Sequence, residues 1–195
     1  MKILGCTGGI GSGKSYIVRI FNAMGLPSYD ADSRAKSLYA GNPELLYRVA
    51  GIAGPDIIKD GVLQKEVLAS RIFKDKSMLS AVEGVVHPAV FEDMLQWKAK
   101  QYANGVKVAV IESAILLEKP LFKELCDNVM TVVAPLELRI GRIMKRDSCT
   151  RNDAMIRIAS QTGDEFRIKA ADFTIFADNN SALLPQLMAI LEKLN

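Results

Sequence analysis

The stretch Gly8-Gly9-Ile10-Gly11-Ser12-Gly13-Lys14-Ser15 most constrains what this chain can fold into. It has the form of a glycine, four variable residues, then Gly-Lys and Ser or Thr. An apolar run, Ile3-Leu4, precedes it, and a helical apolar pattern follows at Ile17, Val18, Ile20 and Phe21. Strand, glycine-rich loop and helix is the context in which this pattern, the P-loop, holds phosphate. The glycines let the backbone approach phosphate oxygens. The loop N–H groups and the positive end of the next helix then hold the anion. Lys14 is expected to reach the β- and γ-phosphates and Ser15 to ligate Mg²⁺. Gly11, Ser12, Gly13, Lys14, Ser15 and Tyr16 make up the expected ATP-binding segment.

The rest of the chain reads around that loop. The first strand covers Lys2–Cys6, and its helix stops at Gly25, before Pro27. A short second strand from Leu26 ends at Asp30-Ala31-Asp32. A strand-helix-strand unit of this length predicts a parallel pair with both strand ends on one edge. That edge is where ligands bind in open α/β sheets, so Asp30 and Asp32 are expected beside the P-loop. One of them also suits the cap of the helical stretch at Ala35–Ala40. Residues 41–105 show helical patterns broken by Gly and Pro, at Glu44–Ala50, Gln64–Phe73, Met78–Val86 and Ala89–Ala103. They predict an all-helical insertion too long for a simple crossover. The single histidine, His87, precedes Pro88 and is expected at a helix junction, either as a structural residue or as a ligand.

Val106–Ile111 reads as a buried central strand ending at Glu112, an acid placed to act on the metal directly or through water. Further strands are expected at Asn128–Val133 and Phe173–Phe176, and an amphipathic closing helix at Ala182–Leu194. Arg139, Arg142 and Arg146 follow Pro135 at a spacing that puts them on one helical face. A polar turn at residues 148–153 and a second helix carrying Arg157 and Gln161 make the segment look like a lid. The chain has a net charge of +3, but Arg139 to Lys169 alone carries +4 and the remainder −1. A basic face of that size suits a phosphate ligand better than a nucleic-acid track. The three cysteines, at scattered spacing, suggest neither disulfides nor zinc, and reduced cytosolic thiols are expected. The opening residues lack a long apolar segment and no apolar run reaches 18 residues, so no secretion signal and no membrane span are expected.

Taken together, Thr7 to Ser15, Asp30-Ala31-Asp32, His87-Pro88 and Ile115-Leu116-Leu117-Glu118 resemble the dephospho-CoA kinase family. So do Arg139, Arg142, Arg146, Arg157, Gln161 and Ala171-Asp172. The resemblance implies a P-loop NTPase fold, with a five-stranded parallel sheet flanked by helices, an all-helical CoA-binding insertion and a helical arginine lid. The expected core covers residues 1–40, 106–138 and 171–195, the insertion 41–105 and the lid 139–170. The implied reaction is ATP-dependent phosphorylation of the ribose 3′-hydroxyl of dephospho-CoA, the last step of CoA biosynthesis, with Mg²⁺. Lys14, Asp32 and Arg142 are the expected catalytic residues. Asp32, His87, Arg139, Arg142 and Arg146 are expected on the acceptor and phosphate, and Ser15 on the metal with Asp32 or Glu112. Asp30 competes with Asp32 as the base. A cytoplasmic monomer or weak homo-oligomer is expected. Tyr16, Gln64-Lys65 and Ile115 depart from the family pattern.

Two other readings use the same residues. A kinase with a different small acceptor would share the P-loop and differ in the insertion. A nucleotide-dependent switch would need neither an arginine lid nor an acid beside the P-loop. Asn-Lys-x-Asp, expected for guanine recognition, is absent from the sequence.

Overall fold

The computed structural model describes residues 1–194. The chain begins with β1 (Lys2–Thr7), α1 (Lys14–Ala23) and β2 (Ser28–Asp30). Helices α2 (Ala31–Gly41) and α3 (Pro43–Ala53) follow, then the short strands β3 (Ile58–Lys59) and β4 (Val62–Leu63). Next come α4 (Lys65–Ile72), the long α5 (Lys76–Ala103), β5 (Val108–Glu112), α6 (Pro120–Lys123) and β6 (Asn128–Val133). Helices α7 (Leu136–Asp147), α8 (Arg151–Ala159) and α9 (Asp164–Ala170) lead to β7 (Phe173–Phe176) and α10 (Leu183–Leu194).

Contacts divide the chain into two units, Met1–Asp30 with Gln101–Asn195, and Ala31–Lys100. Residue 195, part of the expected core, lies outside the described residues. The second unit begins at Ala31 rather than at residue 41, because α2 packs on α3 and belongs with the helices that follow. The segment 139–170 is not a unit of its own but part of the first.

The first unit is built on a five-stranded parallel sheet of order β2-β5-β1-β6-β7. The expected β1–β2 pair is therefore corrected: β5 lies between them, with Val110 opposite Leu4 on one side and Ser28 on the other. The cause is composition. Ala109, Val110 and Ile111 are all fully buried, and a strand apolar on both faces is stable only in the middle of a covered sheet. Ile17 and Phe21 of α1 and Leu187 and Ile190 of α10 pack on Leu4, Val110, Met130 and Ile175 to form the main core.

The second unit corrects two further expectations. It is not all helical, since β3 and β4 form an antiparallel hairpin turning at Asp60 and Gly61, both at positive φ (52° and 75°). Asp-Gly between apolar residues is a strong hairpin signal, and here it was hidden among helical patterns. Nor does His87-Pro88 mark a helix junction, because α5 runs through it for 28 residues. A helical Pro meets the carbonyl four residues back, which here belongs to Gly84. The buried row Val82, Val86, Val90 and Met94 continues on both sides of Pro88, and its packing outweighs the lost backbone hydrogen bond. Asp75 starts this helix by accepting from Ser77 N at 2.8 Å and Met78 N at 3.0 Å. Arg34 of α2 is tied to Asp93 of α5, with Nε donating at 2.8 Å.

Candidate active site

Parallel register decides which side chains meet at the C-terminal edge of the sheet. Cys6 stands opposite Glu112 in the β1–β5 pair, and Asp30 stands opposite Glu112 in the β2–β5 pair. Beyond Thr7 the chain enters the P-loop, and Lys14 is the first residue of α1. Lys14 Nζ donates to Gly8 O at 2.8 Å, folding the ammonium over the loop. Ser15 Oγ donates to Glu112 Oε1 at 2.7 Å. Glu112 is only 7% exposed, so its carboxylate lies in a site largely shielded from water. Burial pushes the Cys6 thiol well up, the Glu112 carboxylate adds to this, and Lys14 works against it. Cys6 therefore stays protonated and supplies no thiolate at the P-loop.

A cavity of about 540 Å³ opens beside α1, lined by Gly13, Tyr16, Arg142, Ala177, Asn179 and Leu183 among others. Its size lies within the range of small-molecule sites. Tyr16 is 56% exposed there, with the Arg19 guanidinium 5.7 Å from its ring centre. Ala177, Asn179 and Leu183 were not anticipated. The sequence hint was the Asp178-Asn179-Asn180 loop after a strand, and Asn179 does adopt a left-handed turn (φ 70°).

The three arginines of α7 occupy three environments. Arg139 is buried, with Nε donating to Ile10 O at 2.9 Å and Nη1 to Asp164 Oδ2 at 2.9 Å. It is turned into the protein rather than toward a solvated phosphate. Arg142 lines the cavity, its Nη1 donating to Ser12 O at 2.9 Å and Gly11 O at 3.2 Å, and its Nη2 to Ala177 O at 3.2 Å. Arg146 grips the neighbouring Asp147 through Nε at 2.7 Å and Nη2 at 2.8 Å, with 60% of its side chain exposed.

Comparison with known proteins decides what this arrangement belongs to. The family model described as dephospho-CoA kinase matches residues 2–184. The chain belongs to the dephospho-CoA kinase family. It is 38% identical over 193 residues to the dephospho-CoA kinase of Porphyromonas gingivalis, covering 98% of this chain and 94% of that one. It is 35% identical over 188 residues to that of Bacteroides fragilis, covering 96% and 90%. Among solved structures, the Thermus thermophilus protein TT1252 superposes with a TM-score of 0.83 at 30% identity, covering 100% of this chain and 98% of that one. The dephospho-CoA kinase from Campylobacter jejuni superposes at 0.70 with 25% identity and the same coverage. The fold alone is shared with a shikimate kinase from Acinetobacter baumannii, at 0.54 and 15% identity.

Within this family member the expected site residues divide between the units. Lys14, Ser15, Glu112 and Arg142 belong to the unit that holds the sheet. Asp32, in the first turn of α2, and His87, on α5, belong to the unit Ala31–Lys100. Among the described residues, no three acidic, His or Cys side chains converge as a metal cage. Ser15 and Glu112 nevertheless offer two hard oxygen donors side by side. Mg²⁺ is commonly held by one or two such donors together with water and substrate phosphate, so the pair fits that ion. Among the described residues no helix is long and apolar enough to cross a membrane.

Proposed function

We propose that this chain transfers the γ-phosphoryl group of ATP to the ribose 3′-hydroxyl of dephospho-CoA, giving coenzyme A and ADP. The observation that carries the reading is the Ser15–Glu112 hydrogen bond beneath the P-loop, in a chain matched by the family model over residues 2–184. The P-loop backbone and the start of α1 bind the phosphates of ATP. Lys14 leaves Gly8 O for the β- and γ-oxygens and offsets charge as the phosphoryl group moves. Ser15 and Glu112 would hold Mg²⁺, and the ion would supply positive charge to offset that of the phosphates. Asp32 orients the acceptor hydroxyl and takes its proton as the oxygen attacks phosphorus and ADP departs. His87 contributes to acceptor binding. Arg142 contacts ATP from the cavity wall, exchanging P-loop carbonyls for phosphate oxygens that its planar fork can bind in pairs. Arg146 is the second arginine of the row within reach of solvent, and phosphate would draw it from Asp147.

The test is ATP consumption with and without dephospho-CoA, with the product identified by mass. Turnover that ignores the acceptor would rule the reading out. In the same assay Asp32→Asn should lower kcat by about 10²–10⁴-fold with ATP affinity kept. An unchanged Asp32→Asn beside an inactive Asp30→Asn would move the base to Asp30. His87→Ala should raise KM for dephospho-CoA more than KM for ATP, and an equal rise would make His87 structural.

A further inference from the structure

Ile10 occupies one of the four variable positions of the P-loop, and both of its backbone polar groups are satisfied outside the loop. Its N–H donates to Gln161 Oε1 at 2.7 Å, and its carbonyl accepts from Arg139 Nε at 2.9 Å. Two side chains, from α7 and from the α8–α9 connection, thus grip one residue of the loop from either side. The packing is close. A Cβ on Gly9 would run into the Arg139 guanidinium, and one on Gly11, at φ +77°, would come within 2.8 Å of Arg139 O. The Ile10 side chain packs on the small cluster of Ile140, Ile143 and Ala154 that joins α7 to α8.

The clamp has its own support. Arg139 Nη1 is bound by Asp164 Oδ2 at 2.9 Å. Asp164 Oδ1 faces Arg167 Nη1 at 3.6 Å, and Arg167 Nη2 donates to Glu118 Oε1 at 3.0 Å. Charges therefore alternate from Glu118 through Arg167 and Asp164 to Arg139 and end on a P-loop carbonyl. Arg167 is 1% exposed, and its Nη1 also donates to Thr162 O, next to Gln161. Asp164 Oδ1, Arg167 Nε and Glu118 Oε2 are buried with no hydrogen-bond partner. Arg139 and Arg167 are buried and Asp164 and Glu118 partly so, and each buried guanidinium depends on its carboxylate neighbours, so the chain of ion pairs resists displacement. A largely buried ionic chain is poor as a source of stability and better suited to specifying geometry. Here the geometry it specifies is that of the phosphate-binding loop.

We propose that Gln161 and Arg139 are positioning residues of the reaction, clamping the Ile10 peptide groups so that the P-loop is pre-shaped for nucleotide. Asp164, Arg167 and Glu118 hold Arg139 in place. The N–H of Ile10 serves the clamp rather than the phosphate, and that of Ser12 donates to Gly9 O at 3.1 Å within the loop, so the clamp fixes the loop shape in which the other N–H groups meet phosphate. Binding to a pre-shaped loop avoids the cost of ordering it.

The test is a titration of the full chain with Mg²⁺ and a non-hydrolysable ATP analogue, without acceptor. Gln161→Leu removes one hydrogen bond to the loop and should weaken binding by about five- to tenfold, whereas Gln161→Glu keeps an acceptor oxygen and should stay within about twofold. Gln161→Asn, polar but too short, should behave like the Leu variant and replaces it if that variant fails to fold. In turnover, Gln161→Leu should raise KM for ATP while leaving KM for dephospho-CoA unchanged. Nucleotide binding as in the wild type for both Leu and Asn variants would overturn the proposal. So would a Glu variant as impaired as the Leu variant, or an equal rise in both KM values. Only the turnover arm rests on the dephospho-CoA reading. Failure of that reading would show as no acceptor-dependent turnover in the wild type, while the nucleotide titration would still judge the clamp.

Discussion

The first half of α7 and its last turn carry the same residue type and end up in opposite situations. Arg139, in the first half, and Arg142, just past the midpoint, donate to P-loop carbonyls, and Arg139 is almost wholly removed from water. Arg146, one helical turn further on, is mostly exposed and pairs with the residue next to it in sequence. Helical spacing predicts that the three share a face, and the face is real. What spacing does not determine is what lies against it. The P-loop and Asp164 cover the first half, whereas Arg146 comes after the buried Ile140 and Ile143 have ended. The same guanidinium is thus buried, cavity-lining or solvated according to its neighbours.

This contrast can be broken at each arginine. Arg139→Ala should have the largest effect on folding, because it takes the donor away from both Asp164 Oδ2 and the Ile10 carbonyl, leaving Arg167 as the remaining cation beside Asp164. Because Asp164 is 28% exposed and still faces Arg167, the expected loss is that of acceptors left unsatisfied, about 1–3 kcal/mol, to be read from denaturant unfolding. A loss under about 1 kcal/mol would make Arg139 equivalent to a surface residue and erase the distinction. Arg142→Ala should leave the fold intact and lower kcat at saturating ATP and dephospho-CoA by at least about tenfold, or roughly 1.4 kcal/mol of barrier. Arg142→Lys should recover part of this, since a point charge lacks the fork. Full kcat in the Ala variant would transfer the phosphate role to Arg146.

Arg146→Ala should change unfolding free energy by less than about 1 kcal/mol, as exposed ion pairs do. A larger change would show that the last turn is held as firmly as the first half. The smallest effect concerns Asp147. The bond from Arg146, with help from Arg157, holds its carboxyl below the ordinary carboxylate range. The unfolded chain then binds this proton more readily than the folded one, so the contribution is present above about pH 4 and fades as pH falls below it. Asp147→Asn should therefore be slightly less stable than wild type near neutrality and should converge with it in acid. A stability gap that persists unchanged at low pH would show that packing, not charge, sustains it.

The P-loop was legible because its chemistry is local: consecutive residues make both the anion nest and its helix. Four sheet strands were legible because they are apolar runs bounded by polar or turn residues, and β2 because it leads into Asp30. The order of the strands was not, because adjacency depends on which strand is apolar on both faces. The hairpin at Asp60-Gly61 carried a local signal that the surrounding helical patterns masked. At His87-Pro88 the local rule pointed the wrong way, since a row of buried residues on α5 outweighs one missing hydrogen bond. Of the cavity wall, Tyr16 and Arg142 were anticipated, whereas Asn179 comes from a loop distant in sequence and has no motif of its own.

The sequence by itself determined the phosphate-binding loop, the alternation of strands and helices, and the family to which the chain belongs, because each rests on residues close together in the chain or on a pattern along its whole length. Only the tertiary structure decided that Ser15 meets Glu112, ninety-seven positions away, and that Ile10 is gripped by Arg139 and Gln161. Such contacts follow from parallel register and from which helix face packs where. Register and packing are set by the burial of apolar surface across the whole sheet rather than by the few polar residues that it brings together.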